Sequence, residues 1–339
     1  MNEIKAISKA LRAHNDFLIT SHINPEGDSI GSQIAMACLL RRLRKRYIIV
    51  DSDPVPASLR FILSGEKVAG QVRTNDRFKT IISVDCPLIK RTGTTEKYFP
   101  DAEFVINIDH HVSNARFGDA IWIEKDMSSC GEMLYHLYTG MGFKPDLKAA
   151  LAMYVAIVTD TGRFSYDSTS ALTHVVAADL IRCGVDPLAV GNQLNEKKSL
   201  ADLKLLNDAL ETLEMHDDGR VAVMYTSRRQ LRARGVGAES TDGFVNYARS
   251  VDSAQIAVFL LERPDKPGVV HVSFRSKGQV NVNHLAALFG GGGHPNAAGC
   301  RIDGGIPQVK KMILKQIGSF LDHKRPTGAE RKSHGKSIA

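Results

Sequence analysis

An apolar run that stops abruptly in ionisable residues constrains this chain more than any other stretch. Phe104-Val105-Ile106-Asn107-Ile108 leads straight into Asp109-His110-His111. A short, continuous apolar run rich in β-branched residues reads as a strand buried on both faces. An acid and two imidazoles at its end cost solvation free energy unless hydrogen bonds or a bound cation take them up. Chemistry is therefore expected at that end.

Similar runs occur at Phe17-Leu18-Ile19-Thr20, Tyr47-Ile48-Ile49-Val50, Ile81-Ile82-Ser83-Val84 and Ala120-Ile121-Trp122-Ile123. Between them, helical spacing recurs in Ile4, Ile7, Ala10 and Leu11, then in Ile30, Ile34, Ala37 and Leu40, and Leu147 to Val158 is a further apolar helix. Buried strands alternating with helices predict an α/β fold with a doubly wound, mostly parallel sheet. In such sheets ligands bind beyond the carboxyl ends of the strands. His22, Asp85 and Asp109-His110-His111 all stand at those ends.

A polar helical stretch, Pro187 to Met215, precedes a second pattern: strand Val221 to Tyr225, basic helix Arg228 to Arg234, strands Ile256 to Leu261 and Val269 to Phe274, helix Val282 to Phe289, a glycine run, and helix Ile306 to Leu321. This predicts a smaller α/β domain with a mixed sheet. The expected division is a first domain over 1–190, a helical linker over 191–216, a second domain over 217–322 and a disordered basic tail over 323–339.

The 339 residues carry a formal charge of +7, much of it in Arg41-Arg42-Leu43-Arg44-Lys45-Arg46 and the tail, so charge alone is weak support for a nucleic-acid partner. Five scattered cysteines without paired spacing suit a reducing compartment and imply no thiolate zinc site. The amino-terminus lacks a signal-peptide apolar core, and no run approaches the ~18 apolar residues of a membrane span. A soluble, cytoplasmic protein with no membrane partner is expected.

His22, Glu26, Asp28, Asp85, His110, His111 and Asp160 offer oxygen and imidazole donors without sulfur. That donor set suits Mn²⁺, with Mg²⁺ or Co²⁺ as substitutes. Carboxylates gathered at one edge repel one another, and two ions about 3.5–4 Å apart sharing a bridging carboxylate would relieve this and activate a water for attack on phosphorus. Taken singly, Asp28 reads as a helix cap, Asp85 as a turn residue and His22 as a packed imidazole. Their occurrence at successive strand ends favours the joint reading.

His22-x-x-x-Glu26-x-Asp28, Val84-Asp85, Asp109-His110-His111-x-x-Asn114 and Thr159-Asp160-Thr161-Gly162-x-Phe164 resemble, in order, the four motifs of the DHH phosphoesterase superfamily. Gly290-Gly291-Gly292-Gly293-His294-x-x-Ala297-Ala298-Gly299 resembles the signature of its DHH-associated domain. The two-domain layout is most similar to the nanoRNase/pAp phosphatase (NrnA-like) type, which implies hydrolysis of short oligoribonucleotides to mononucleotides and of pAp to AMP. The resemblance implies one metal on His22, Glu26 and Asp85 and another on Asp28, Asp85, His110 and Asp160. It places His111 near the phosphoryl group and Asp109 behind an imidazole, so that Asp85, His111 and Asp109 form the catalytic group. Asn114 is either a substrate contact or a turn residue. Glu26 departs from the family's usual Asp, lengthening the donor's reach.

Four consecutive glycines let backbone approach a ligand closely and present N–H groups to a phosphate. With Arg275, whose guanidinium grips phosphate in a fork that Lys277 cannot form, Gly291, Gly292, Gly293 and His294 are the expected substrate contacts. Arg228, Arg229, Arg232 and Arg234 read more readily as a solvated helix face than as an RNA track. Cyclic di-AMP or linear dinucleotide hydrolysis is the alternative within enzymes, and a catalytically weakened RNA- or nucleotide-binding protein is the alternative outside them. A homodimer is compatible with either.

Overall fold

The computed structural model describes residues 2–72, 78–195, 197–278 and 280–322. The expected tail, 323–339, lies outside the described residues. The chain divides into two compact units, Met1–Lys197 and Lys198–Ala339.

In the first unit, strands β1 (Phe17–Thr20), β2 (Tyr47–Val50), β3 (Val68–Ala69), β4 (Thr80–Val84), β5 (Phe104–Asp109) and β6 (Ala120–Ile123) form one sheet. Its order is β3-β2-β1-β4-β5-β6, and every neighbouring pair is parallel. Helices α1 (Asn2–Ala13), α2 (Gly27–Arg42), α3 (Cys130–Gly140), α4 (Leu147–Asp160), α5 (Ala171–Arg182) and α6 (Pro187–Asn195) complete the unit.

Alternate strand residues feed two cores. Ile19, Ile49, Ile82, Ile106 and Ile108 meet residues of α1 to α6, whereas Leu18, Val50 and Ile81 meet Phe99 on the opposite face. The second core is covered by two short 3-10 turns within Ile89–Asp101, divided at Gly93. Right-handed crossovers explain this: strand order reverses between β1 and β4, so the β4-to-β5 connection crosses the face opposite to α2. The reversal also opens a crevice beyond the carboxyl ends of β1 and β4.

Residues 27–40 of α2 are buried all round. Small side chains permit this, since a Cβ on Gly31 would come within 2.4 Å of the Ala152 carbonyl oxygen on α4. The close contact brings the start of α2 beside the end of α4, where Asp160 lies.

The second unit holds α7 (Leu200–Leu210), β7 (Glu214–His216), β8 (Val221–Thr226), α8 (Arg228–Arg234), α9 (Phe244–Ser250), β9 (Ile256–Glu262), β10 (Val269–Ser276), α10 (Val282–Ala287), β11 (Gly292–His294), β12 (Ala297–Asp303) and α11 (Ile306–Asp322). Its sheet runs β11-β12-β10-β9-β8-β7, with β8 and β9 parallel and every other pair antiparallel. Val258, Leu260, Val272 and Phe274 pack with α10 and α11, and Met224, Phe259 and Leu261 with α7, α8 and α9.

The helical stretch expected as a linker, 191–216, includes α7, which packs into a core. Leu205 and Ala209 of α7 are buried beside Met224 and Phe259, so residues 200–210 belong to the core of the second unit. The basic helix α8 is partly neutralised: Arg234 grips Asp208 with two hydrogen bonds and Arg228 pairs with Glu262 at 3.9 Å. Among the described residues no helix is long and apolar enough to cross a membrane.

Candidate metal centre

The carboxyl edge of the first sheet gathers the residues its strand ends predicted. His22 follows β1, Asp85 follows β4, Asp109 ends β5, Asp28 opens α2 and Asp160 ends α4. Asp28, Asp85, Asp109, His22, His110 and His111 are all buried, whereas the Glu26 side chain is 59% exposed. Asp85 has φ of 52°, the left-handed region that non-glycine residues rarely adopt. Strain of that kind persists where the surroundings over-determine it, which is common at functional sites.

Each imidazole is oriented by a partner on its Nδ1 side. His22 Nδ1 lies 2.8 Å from the Ile23 carbonyl, His110 Nδ1 3.1 Å from the Met127 carbonyl, and His111 Nδ1 2.7 Å from Asp109 Oδ1. A carbonyl accepts only, so Nδ1 of His22 and His110 carries a proton and Nε2 is the atom offered to the cluster. His110 Nε2 then faces three carboxylates, at 3.4 Å to Asp160, 3.6 Å to Asp28 and 3.7 Å to Asp85. His22 Nε2 faces Asp85 at 3.3 Å and Glu26 at 3.9 Å. Ser29 bridges His22 and Asp85, lying 2.9 Å from His22 Nε2 and donating to Asp85 Oδ2 at 2.8 Å.

Burial alone would lower the imidazole pKa of His22 and His110. Asp85 reverses this for His22, and Asp160, Asp28 and Asp85 for His110, so both are pushed up to about 9. Burial raises Asp28 to about 7 with help from the Asp85 charge, and raises Asp160 well above the carboxylate range. Asp85 goes the other way, since His22, His111 and His110 outweigh its burial. Without a metal, protons hold the cluster together. A divalent cation would replace them, and several overlapping groups of donors lie close enough to share one, among them His22 with Glu26 and Asp85, and Asp28 with His110 and Asp160. The donors and their near-contact spacing fit a hard or borderline cation.

Asp109 faces inward. Its Oδ1 accepts from the backbone of His110 and His111 and from the His111 ring, and its Oδ2 accepts from Asn114 at 2.6 Å. The Asn114 amide also donates to Asn107 and to the Cys86 carbonyl, and its oxygen accepts from the Arg116 amide. Of the two expected roles for Asn114, this geometry favours support of the turn over contact with substrate.

Asp28 reads in sequence as the cap of its own helix. Instead its two oxygens accept from Cys130 N at 2.7 Å and Gly131 N at 2.9 Å, the amino end of α3, and from Ser32. Ser29, the Met127 carbonyl and Asp51 went unnoticed in the sequence. Asp51 follows β2, accepts from Gln33 and from the Ser21 amide, and is raised by burial to about 6. Its place at a buried strand end was the available signal.

In the second unit the glycine run is not an open loop. Gly290, at φ 69°, ends α10: its amide donates to Ala287 O and that of Gly291 to Ala286 O, a Schellman cap. Gly292, Gly293 and His294 then pair with Gly299, Ala298 and Ala297. A Cβ on Gly291 would stand 2.1 Å from the Gly299 oxygen, and one on Gly293 2.4 Å from the Ala297 oxygen. The run is expected to offer a row of amides to phosphate, and part of that row is already engaged within the fold. Two of those amides cap a helix, and the glycines serve close backbone packing. Arg275 and His294 are half-buried, on β10 and β11.

Comparison with known proteins agrees with this architecture. The DHH family, N-terminal domain, matches residues 16–159, and the DHHA1 domain matches residues 218–322. The chain belongs to the DHH family. This DHH-family chain is 29% identical over 298 residues to the bifunctional oligoribonuclease and PAP phosphatase NrnA of Bacillus subtilis, spanning 87% of this chain and 91% of that protein. It is also 29% identical over 321 residues to the NrnA of Thermus thermophilus, spanning 94% of each. The crystal structure of an exopolyphosphatase-related protein from Bacteroides fragilis shares its fold, with a TM-score of 0.84 at 23% identity over 96% of this chain and 97% of the other.

Proposed function

We propose that this DHH-family chain is a divalent-metal-dependent phosphoesterase that hydrolyses short oligoribonucleotides to mononucleotides and pAp to AMP. The observation that carries the reading is the imidazole of His110 aimed at the carboxylates of Asp28, Asp85 and Asp160, the first two buried and the third partly so, with a second imidazole, His22, aimed at Asp85 as well. The likeness to two NrnA proteins along most of the chain supports the substrate class.

His22, Glu26 and Asp85 would hold one ion, and Asp28, Asp85, His110 and Asp160 a second, with Asp85 facing both. Mn²⁺ suits the mixture of imidazole and carboxylate donors. Bound there, the ions would supply Lewis acidity to the phosphoryl oxygens and lower the pKa of a water for in-line attack on phosphorus. The chain's own part is orientation. Asp109 holds the Nδ1 side of His111, leaving Nε2 as the atom that can meet developing charge on a phosphoryl group. The carbonyls of Ile23 and Met127 hold His22 and His110 in the tautomer that ligation needs. Arg275, His294 and Gly291 to Gly293 are proposed as substrate contacts, the guanidinium gripping a phosphate. Five free cysteines fit a reducing cytoplasm.

The test is hydrolysis of a labelled pentaribonucleotide, of pAp and of cyclic di-AMP, with Mn²⁺ or with chelator, by wild type and Asp85→Ala. Cleavage of the first two that chelator or Asp85→Ala abolishes supports the reading. Preferential cleavage of cyclic di-AMP transfers the activity to cyclic dinucleotides. No cleavage with Mn²⁺ in excess, together with retained RNA affinity, replaces the enzyme with a binding protein.

A further inference from the structure

Resting on that metal-dependent reading, we infer that Glu132 is a positioning residue that sets the second pole of the centre, the one built from Asp28, His110 and Asp160. Glu132 lies in the first turn of α3 and is 1% exposed. Its Oε2 accepts from the Ser128 amide at 3.1 Å, from the Ser128 hydroxyl in a short contact, and from the Thr173 hydroxyl of α5 at 3.0 Å. Among the described residues no ion pair to Glu132 falls within 4 Å, and the groups in direct contact with its Oε2 are all hydrogen-bond donors. Burying such a group is costly, and the segment it holds shows what it does.

Residues 127–131 carry the backbone groups that orient two of the donors. The Met127 carbonyl takes His110 Nδ1, and the Cys130 and Gly131 amides take the two oxygens of Asp28. Ser128, the residue Glu132 clamps by both its amide and its hydroxyl, sits between these two contacts. Ser129 caps α3 by accepting from the Glu132 amide, so the bend is closed from both sides. Gly131 is pressed against α4, where a Cβ would meet that of Ala156 at 2.4 Å. The bend is thus held on one side by the close approach to α4 and on another through Glu132 to Thr173 of α5. His22 and Glu26 depend on none of these contacts. The His22 ring is set by Ile23, Ser29 and Asp85. Loss of Glu132 should thus loosen one pole and spare the other.

The experiment is Mn²⁺ titration of the metal-free full chain by calorimetry, for wild type, Glu132→Ala, Glu132→Gln and Ser128→Ala, beside thermal melts of the same metal-free proteins. Wild type should show two classes of site. Removing an outer partner of a ligand commonly weakens metal binding about 10–100-fold. Glu132→Ala should weaken one class by that factor and leave the other within about threefold of wild type. Glu132→Gln keeps one acceptor and should lie between, as should Ser128→Ala. Unchanged Mn²⁺ binding in the variants, with only a lowered melting temperature, would overturn the proposal, as would equal weakening of both classes. If Glu132→Ala does not fold, Glu132→Gln and Ser128→Ala decide by the same criteria. A wild type that binds no Mn²⁺ removes the metal-dependent reading itself, whereas selective failure of the variants to shift a class removes only the role of Glu132.

Discussion

The two units place their polar side chains by opposite means. At the edge of the first sheet, Asp28, Asp85, Asp109 and His110 are buried; Asn114 holds Asp109 from five residues away, and groups more distant in sequence hold the others, namely the α3 amides, Ser29 and the Met127 carbonyl. In the second unit, Arg275 and His294 are half-buried on a sheet whose local shape comes from glycines packed against the backbone of β12. The first arrangement stores uncompensated charge and so is tied to protons or cations. The second stores close backbone contact and is tied to the absence of side chains. Damage to the first should appear as lost chemistry, and damage to the second as lost folding.

Asp85→Ala is the strongest way to press this difference. It removes the carboxylate common to both imidazoles, and hydrolysis of pAp should fall by at least about a thousandfold, the upper range for loss of one electrostatic group at a reacting centre. The fold should survive, as judged by circular dichroism. A variant that retains a tenth of the activity would show that Asp85 is not shared by the two groups of donors.

Gly291→Ala tests the other side. Its methyl has no room, so about 1–3 kcal/mol of stability should be lost in urea unfolding, the usual cost of overpacking. Gly292→Ala is the control, because the nearest atom to its Cβ would be Asn283 Oδ1 at 3.6 Å. It should fold like wild type, and a raised KM for RNA in that variant would show that substrate approaches the strand. Full stability in Gly291→Ala would restore the open-loop view of the glycine run.

The charge of the first unit also makes its metal-free form sensitive to pH. His22 and His110, raised from 6.5 to about 9, add stability below 6.5 that is lost as pH rises through 9. Asp28, raised from 3.8 to about 7, acts in the same direction at lower pH, since its protonated form is the one the fold prefers. The melting temperature of the metal-free protein should therefore fall from pH 5 to pH 9, scanned at about one-unit steps. Saturating Mn²⁺ should flatten that slope, because ligation requires the deprotonated groups. A metal-free melting temperature that does not vary with pH would contradict the charge-storing description. The smallest effect is expected from Glu26→Asp, which keeps the charge at a 59% exposed position. Mn²⁺ affinity should change by less than about tenfold, below the loss for a removed partner.

Much of the first sheet was legible because its strands are buried on both faces. β1, β2 and β6 occupy the expected residues, and β4 and β5 each extend one residue further. The strands of the second unit near the glycine run were not legible. Gly292 to His294 and Ala297 to Asp303 lack the β-branched run that marks a strand, and they pair because two glycines let backbones meet. Helix α7 carries the polar composition of a connector, yet Leu205 and Ala209 find a core only when β8 and β9 are beside it.

The sequence by itself determined the donor types, their position at successive strand ends and the family to which the chain belongs. Only the tertiary structure decided what points each donor. Asp28 caps α3 rather than its own helix, Asn114 turns inward to Asp109, and a Met127 carbonyl chooses the tautomer of His110. Those decisions rest on backbone amides and carbonyls, which every residue carries alike and which therefore leave no mark in the order of side chains.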